Sequence, residues 1–338
     1  MQRKRFVLYW SVALALALTL AWAAAAQGTP SSTDPPTRPF EKAEAATKSQ
    51  LDRRVILRLD TSDTRTRVRI APPARPALLR PASASIDVTY LAAGTNNGYD
   101  DCEEWPTDAT TAFEYAASIW EGLINSPVPI TIDACWYGGS GSTLGYNFLG
   151  NSSRDFDGAP VPDTWYAPAL ANSLYGSDLK PGEADTNIAI NKNFTWYTGT
   201  DGNPGPSQVD MVSVVLHEIA HGLGFSGYMS YGLVNCGGAN NGCWGGGTGY
   251  PDIYDRFTEN AAGQLLISAY ANPSAALGSA LTSNNLRFDG TYARAANGGL
   301  GVRIYAPSTW SPGSSYAHLD YDTFKNTDHR LMVYMLSS

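Results

Sequence analysis

His217 and His221 stand four residues apart, and Glu218 directly follows the first of them. On a helix, residues four apart lie one turn above each other, so both imidazoles can reach a single metal ion. Glu218 then sits beside the pair, where it can accept a proton from a water instead of ligating the metal. His-Glu-x-x-His on a helix is a pattern whose chemistry is zinc-assisted hydrolysis, with the glutamate as general base. The chain has four His and nine Glu in 338 residues, so a chance match arises on the order of once in a thousand such chains. The bland alternative is a pair of core or surface histidines on an amphipathic helix.

A helix must carry these residues, and the flanking sequence predicts one. Ser207 is the expected N-cap, with Asp210 three residues on. Val209, Val212, Leu216, Ile219 and Leu223 recur at 3-4-3-4 spacing, which is one buried face. Gly222-Leu223-Gly224-Phe225 marks the expected stop, because glycine readily takes the left-handed conformation that ends a helix. Upstream, Ile86–Leu91 alternates like a strand, and a helix is expected from a cap at Thr107 or Asp108 to about Ile124. Its apolar face is expected at Ala112, Ala116, Ile119 and Leu123. Further strands are expected at Pro129–Cys135, at Leu144–Leu149 and, at a sheet edge, at Asn187–Asn191. This succession implies an α/β (α+β) lobe with a twisted mixed sheet. Residues 228–310 are rich in Gly, Asn and Ser and read as a loop-rich insertion.

A His-Glu-x-x-His helix ending in glycine resembles the metzincin zinc endopeptidases. Their compact motif continues His-x-x-Gly-x-x-His, and here His221 and Gly224 fit, but the next ligand position is Gly227. The leishmanolysin-type branch places a long insertion before its third histidine, followed by a turn containing Leu-Met. This chain has His318 in Ser314–Asp320 and Leu331-Met332 further on, similar to that turn and its hydrophobic floor under the metal. Trp196–Gly202 also looks like secreted bacterial members. The resemblance covers about residues 85–338 and is strongest at 186–226 and 311–332. It implies a zincin-like fold, one catalytic Zn2+ held by His217, His221 and His318, and Glu218 as catalytic base. His329, Asp252, Asp255 and Glu259 stay open as alternatives for the third ligand. The sequence departs from the family where Ser338 follows Met332 by six residues, since a helix usually follows the turn.

The surrounding chain suggests where such an enzyme works. A basic start, an apolar run from Phe6 to Trp22 and Ala24-Ala25-Ala26 form a signal peptide pattern over residues 1–26, implying secretion and no stable membrane association after its cleavage. Residues 27–84 carry eleven Lys and Arg against six Asp and Glu, whereas residues 85–338 carry nine against twenty-five. A basic propeptide or linker thus precedes an acidic metallopeptidase domain, 85–338. Val55–Leu59 and Val68–Ile70 look like short strands within the leader, which makes a propeptide inhibitor a candidate partner. The acidic domain argues against nucleic-acid binding. In an oxidising compartment Cys102, Cys135, Cys236 and Cys243 should form two disulfides. Cys236 with Cys243 and Cys102 with Cys135 is the natural pairing among three. Asp100, Asp101, Glu103 and Glu104 read as a solvated charge run, with Ca2+ binding there or near Asp201 as the alternative. Asn151 and Asn193 begin glycosylation sequons. Protein or peptide substrates follow from the resemblance. A zinc-bearing adhesion module and a non-peptidase zinc hydrolase are the rival classes.

Overall fold

The structure is a computed structural model that describes residues 54–60, 84–245 and 248–337. The signal-like segment and the expected strand at Val68–Ile70 lie outside the described residues. Seven strands, numbered along the chain, build the main sheet: β1 Val55–Asp60, β2 Ile86–Tyr90, β3 Cys102–Glu103, β4 Ile130–Tyr137, β5 Thr143–Leu149, β6 Thr186–Asn191 and β7 Met335–Ser337. Their order is β7-β1-β5-β6-β4-β2, with β3 added antiparallel on the far end of β4. β2, β4 and β6 run parallel, and β5 is antiparallel to both β6 and β1.

Two arrangements differ from the sequence expectation. The strand at Asn187–Asn191 is not at a sheet edge. It lies between β4 and β5, and Ile188, Ala189 and Ile190 are buried. Its shortness suggested an edge, but a strand covered on both faces needs only a short continuous apolar run. The leader strand at 55–59 is β1, N-terminal to the expected boundary at residue 85, and it is paired on both sides within this sheet.

The three longest helices among the described residues are α1 Thr107–Glu121, α2 Pro168–Tyr175 and α3 Met211–Gly222. α1 begins after an extended Pro106 without a side-chain cap, so neither Thr107 nor Asp108 is the N-cap. Proline's fixed φ already sets the entry geometry. Its buried face is Ala109, Ala112, Phe113, Ala116, Ala117 and Trp120, rotated from the expected one because the two large aromatic rings dominate burial. Small alanines let α1 lie close to α3, and the Trp120 indole donates to Leu216 O at 3.1 Å.

Residues 228–310 hold more structure than a loop-rich insertion. Antiparallel strands Thr258–Glu259, Leu286–Phe288 and Val302–Ile304 form a small sheet. Short helices Leu266–Ala269, Ala275–Leu281 and Thr291–Ala296 accompany it. Leu266, Leu277, Leu281, Leu286, Phe288 and Val302 are fully buried. Elements of two to seven residues are too short to show a period in the sequence. Disulfides join Cys102 to Cys135 and Cys236 to Cys243. The first ties β3 to β4, and the second closes a short loop in the later region.

Candidate metal centre

α3 begins at Met211, and its N-cap is Asp210, whose carboxylate accepts from the Ser213 amide at 3.0 Å. Ser207, the expected cap, instead has a positive φ of 63° in the preceding turn. The apolar face falls where the spacing puts it: Val209, Val212, Leu216, Ile219 and Leu223 are all buried. The helix ends at Gly222, and Gly224 takes a φ of 106°, turning the chain away while its amide bonds to His221 O. Phe225 O is thereby brought back to His221 Nδ1 at 2.6 Å.

His318 arrives from the other end of the chain. Its backbone carbonyl accepts from the Tyr305 amide, and the next residue, Leu319, donates to Met332 O at 2.8 Å. The turn Arg330–Met332 passes beneath, with Met332 fully buried and Leu331 O at 2.6 Å from His217 Nδ1. Tyr316, two residues before His318, has a φ of 71° and a buried hydroxyl. That hydroxyl donates to Asp255 Oδ1 at 2.9 Å and lies 2.8 Å from Thr258 Oγ1. Asp255 also accepts from the amides of Tyr228 and Asp252. A non-glycine residue in this backbone region persists only where its surroundings hold it; the clasp on Asp255, the Tyr316 amide donating to Tyr305 O and the Tyr254 hydroxyl donating to Tyr316 O hold Tyr316.

The three histidines converge. Nε2 of His221 is 2.9 Å from Nε2 of His217, and Nε2 of His318 is 3.2 Å from the first and 3.3 Å from the second, in the order His217, His221. Each opposite ring nitrogen, Nδ1, faces a backbone carbonyl: Leu331 O, Phe225 O and Ser314 O, the last at 2.8 Å. A carbonyl only accepts, so each Nδ1 must carry the proton and each Nε2 is left with a lone pair. Three lone pairs aimed at one point repel one another unless a cation lies between them. Nitrogens bound tetrahedrally at ~2.0–2.1 Å from one zinc lie about 3.3 Å apart, close to what is seen. The carbonyl partners are those expected behind ligating histidines. The donor set therefore fits a zinc ion.

Electrostatics agree with neutral imidazoles. Burial lowers His217 to about 4. Burial, then the neighbouring His217 and His318, push His221 well below its usual value; burial, then His217 and more weakly Arg58, do the same to His318. Glu218 is fully buried beside them, and burial raises its carboxyl well above the usual range. Neither of its carboxylate oxygens has a hydrogen-bond partner among the described residues. Its backbone carbonyl accepts from Asn147, a buried amide on β5 that also donates to Thr186. An isolated asparagine within an apolar strand was the sequence signal for this tie, and it was not read as one.

The other candidates do not join the cluster. Among the described residues, the grouping with metal-ligating geometry is His217, His221 and His318. Asp252 and Asp255 are engaged with backbone amides away from it, and Glu259 lies on the small sheet opposite Arg287. His329 packs edge-on against Phe324. For calcium, the acidic run is divided among separate partners: Asp100 with Tyr146, Asp101 with Asn96, and Glu103 with Lys192. Asp201 takes the Tyr197 hydroxyl.

Gly227, which the compact motif would replace by histidine, lies against the Tyr316 clasp. A Cβ there would come within 2.4 Å of the Tyr316 ring and 2.5 Å of Asp255 Oδ1.

Compared with known proteins, residues 172–234 match a family described as SPBPB7E8-like. A 73-residue stretch is 38% identical to an uncharacterized protein, PB7E8.01, of Schizosaccharomyces pombe (strain 972 / ATCC 24843); it covers 21% of this chain and 13% of that protein. The family match includes His217, Glu218 and His221 and stops before His318. No solved structure matches. No helix among the described residues is long and apolar enough to cross a membrane.

Proposed function

We propose that this chain is a secreted zinc metalloendopeptidase, similar to the leishmanolysin-type branch of the metzincins. The observation that carries the reading is the convergence of three buried Nε2 atoms beside the unpartnered carboxylate of Glu218. His217, His221 and His318 would hold the metal, leaving one tetrahedral position for water or substrate. A zinc ion there supplies Lewis-acid polarisation of the carbonyl and acidifies water. Glu218 would take the proton from the attacking water and pass it to the leaving amine. The carbonyls behind each imidazole hold the ligand rings in one tautomer. The signal-like start and two disulfides support export.

The test is metal analysis of protein recovered from the medium of a secreting host, with casein hydrolysis measured alongside. One zinc per chain is expected, with a marked loss of both zinc and hydrolysis in His318→Ala. Glu218→Gln should keep the zinc and lose ~10²–10⁴ in turnover. A folded protein without zinc, or full hydrolysis in zinc-loaded Glu218→Gln, would refute the assignment. Hydrolysis of esters but not peptides would move it to another zinc hydrolase.

A further inference from the structure

Neither carboxylate oxygen of Glu218 is tied to a hydrogen-bond donor among the described residues, so what reaches residue 218 from elsewhere must set where its side chain starts. β5 does so from the sheet. Gly145 and Asn147 stand two apart on that strand and share a face, the one turned to α3. A Cβ on Gly145 would lie 3.4 Å from Glu218 Oε1, so the bare glycine leaves the carboxylate its space. The buried Asn147 amide donates to Glu218 O at 3.0 Å and to Thr186 Oγ1 at 2.7 Å. A peptide carbonyl only accepts, so the amide nitrogen is the atom that faces Glu218 O. The Thr186 hydroxyl donates onward to Phe148 O at 3.4 Å, which leaves its lone pairs for Asn147. The chain of donors from Phe148 O back to Glu218 O thus has one direction, and the amide has one orientation. Thr186 also sets the depth of the helix on the sheet, since a Cβ on Gly222 would come within 2.6 Å of Thr186 Cγ2. On the other side of α3, Trp120 donates to Leu216 O. The carbonyls before and after His217 therefore each carry a side-chain donor, one from α1 and one from β5.

We infer that Asn147 is a positioning residue for the general base: its amide, oriented by Thr186, sets the α3 backbone at residue 218 and through it the place of the Glu218 carboxylate. The inference rests on the metallopeptidase reading above. Packing alone does not call for an amide here. Ile188, which pairs with Asn147, and Ile190, which pairs with Gly145, join the same core as α3 without a donor. Burying an amide costs desolvation that an apolar side chain of similar size avoids. Of the α3 carbonyls, the one this amide holds belongs to the residue whose side chain would accept the proton. The ligand rings are held separately, through their own Nδ1 atoms, so the base and the metal ligands have distinct supports.

The experiment is a double-mutant cycle on the full zinc-loaded chain: parent, Asn147→Leu, Glu218→Gln and the two together. Asn147→Leu roughly keeps the side-chain volume and removes the donor. Hydrolysis of fluorescently labelled casein, zinc content and a crystal structure are measured for each. Asn147→Leu should lower kcat on the order of ten- to a hundredfold with KM and zinc content unchanged, the effect of moving a reacting group by about 1 Å. In the Glu218→Gln background the same substitution should lower kcat no further, because residues that act as a unit are not additive. The crystal structure of Asn147→Leu should show the Glu218 carboxylate displaced by about that distance and the three imidazoles in place. A residue that serves stability alone would lower kcat alike in both backgrounds and leave the carboxylate where it is. Either result overturns the inference, as does an unchanged kcat. If Asn147→Leu does not fold, Thr186→Val goes through the same cycle and decides alone; it keeps the contact with Gly222 and removes the hydroxyl that orients the amide. A folded parent without zinc, or full hydrolysis in zinc-loaded Glu218→Gln, defeats the metallopeptidase reading and takes the inference with it. Zinc-dependent and Glu218-dependent hydrolysis with equal losses in both backgrounds defeats the inference alone.

Discussion

The centre draws on two regions that hold their histidines by different means. α3 fixes His217 and His221 by helix periodicity, over twelve residues whose apolar face is packed against α1 and the sheet. The region from Tyr316 to Met332 has no comparable element around His318. It holds that residue by a short backbone ladder to residues 303–305, made by Tyr316 to Tyr305 O, Tyr305 to His318 O and Asp320 to Arg303 O, together with Leu319 to Met332 O and the Tyr316 clasp on Asp255. A periodic element shares its positional constraint among many residues, so any one substitution moves the ligands little. A short ladder shares it among fewer residues, and the side-chain clasp of Tyr316 is the tie that a single substitution removes.

The largest expected effect comes from the disulfides, one in the main sheet and one in the later insertion. Cys102–Cys135 closes a separation of 33 residues and Cys236–Cys243 one of 7. On chain entropy alone, replacing both cysteines by serine should cost about 4 kcal/mol for the first and about 2 kcal/mol for the second. Denaturant unfolding measures this, and an equal or reversed cost would show that the later region depends on its staple more than its loop length implies. Next, Tyr316→Phe removes the hydroxyl from Asp255 and Thr258 but leaves the ring. Zinc affinity should fall on the order of tenfold, as for other changes behind a ligand, with amide protection in α3 unaltered. A competition titration against a chelator reads the first, hydrogen exchange the second. An unchanged affinity would break the claim that this clasp sets His318.

The smallest effect probes the sheet under α3. Asp185 accepts from the Thr131 amide and from Asn172, and burial raises it to about 6. A carboxyl raised in the folded state binds its proton more tightly there than in the unfolded chain. Its contribution is therefore complete below about pH 4 and is lost as pH rises through about 6. Asp185→Asn has no such loss. Melting temperatures from pH 4 to 7 should shift in the variant's favour, relative to the parent, on the order of 2–4 °C. A constant difference would show that Asp185 is ionised in the fold at all these values.

The same contrast explains what could be read from sequence. His217, Glu218, His221 and the buried face of α3 were legible because helix spacing is local. Of the third-ligand candidates, the structure brings His318 to the pair, but that choice came through a resemblance, since nothing in the 96 residues between His221 and His318 encodes the distance between them. The Tyr316 clasp was invisible for the same reason: Asp255 looked like a possible ligand because its partners are remote in sequence. β1 was recognised as a strand from its alternation, whereas its place in the sheet depends on Gly313 and Tyr334, far along the chain. Asp210 displaces Ser207 as the cap because the helix starts three residues later than expected. Proximity along the chain, not chemical type, separated what was legible from what was not.

Gly227 makes two arrangements of this region mutually exclusive. No side chain fits at that position while Tyr316 and Asp255 remain engaged, so a histidine cannot arise there as a spare ligand before the clasp is dismantled. Dismantling the clasp first would disturb His318 before any replacement existed. A side chain at this position and an intact clasp therefore exclude each other, and a proposed ligand at His318 and one at position 227 are not a single substitution apart. Contingency in this protein is enforced by the space beside a single glycine.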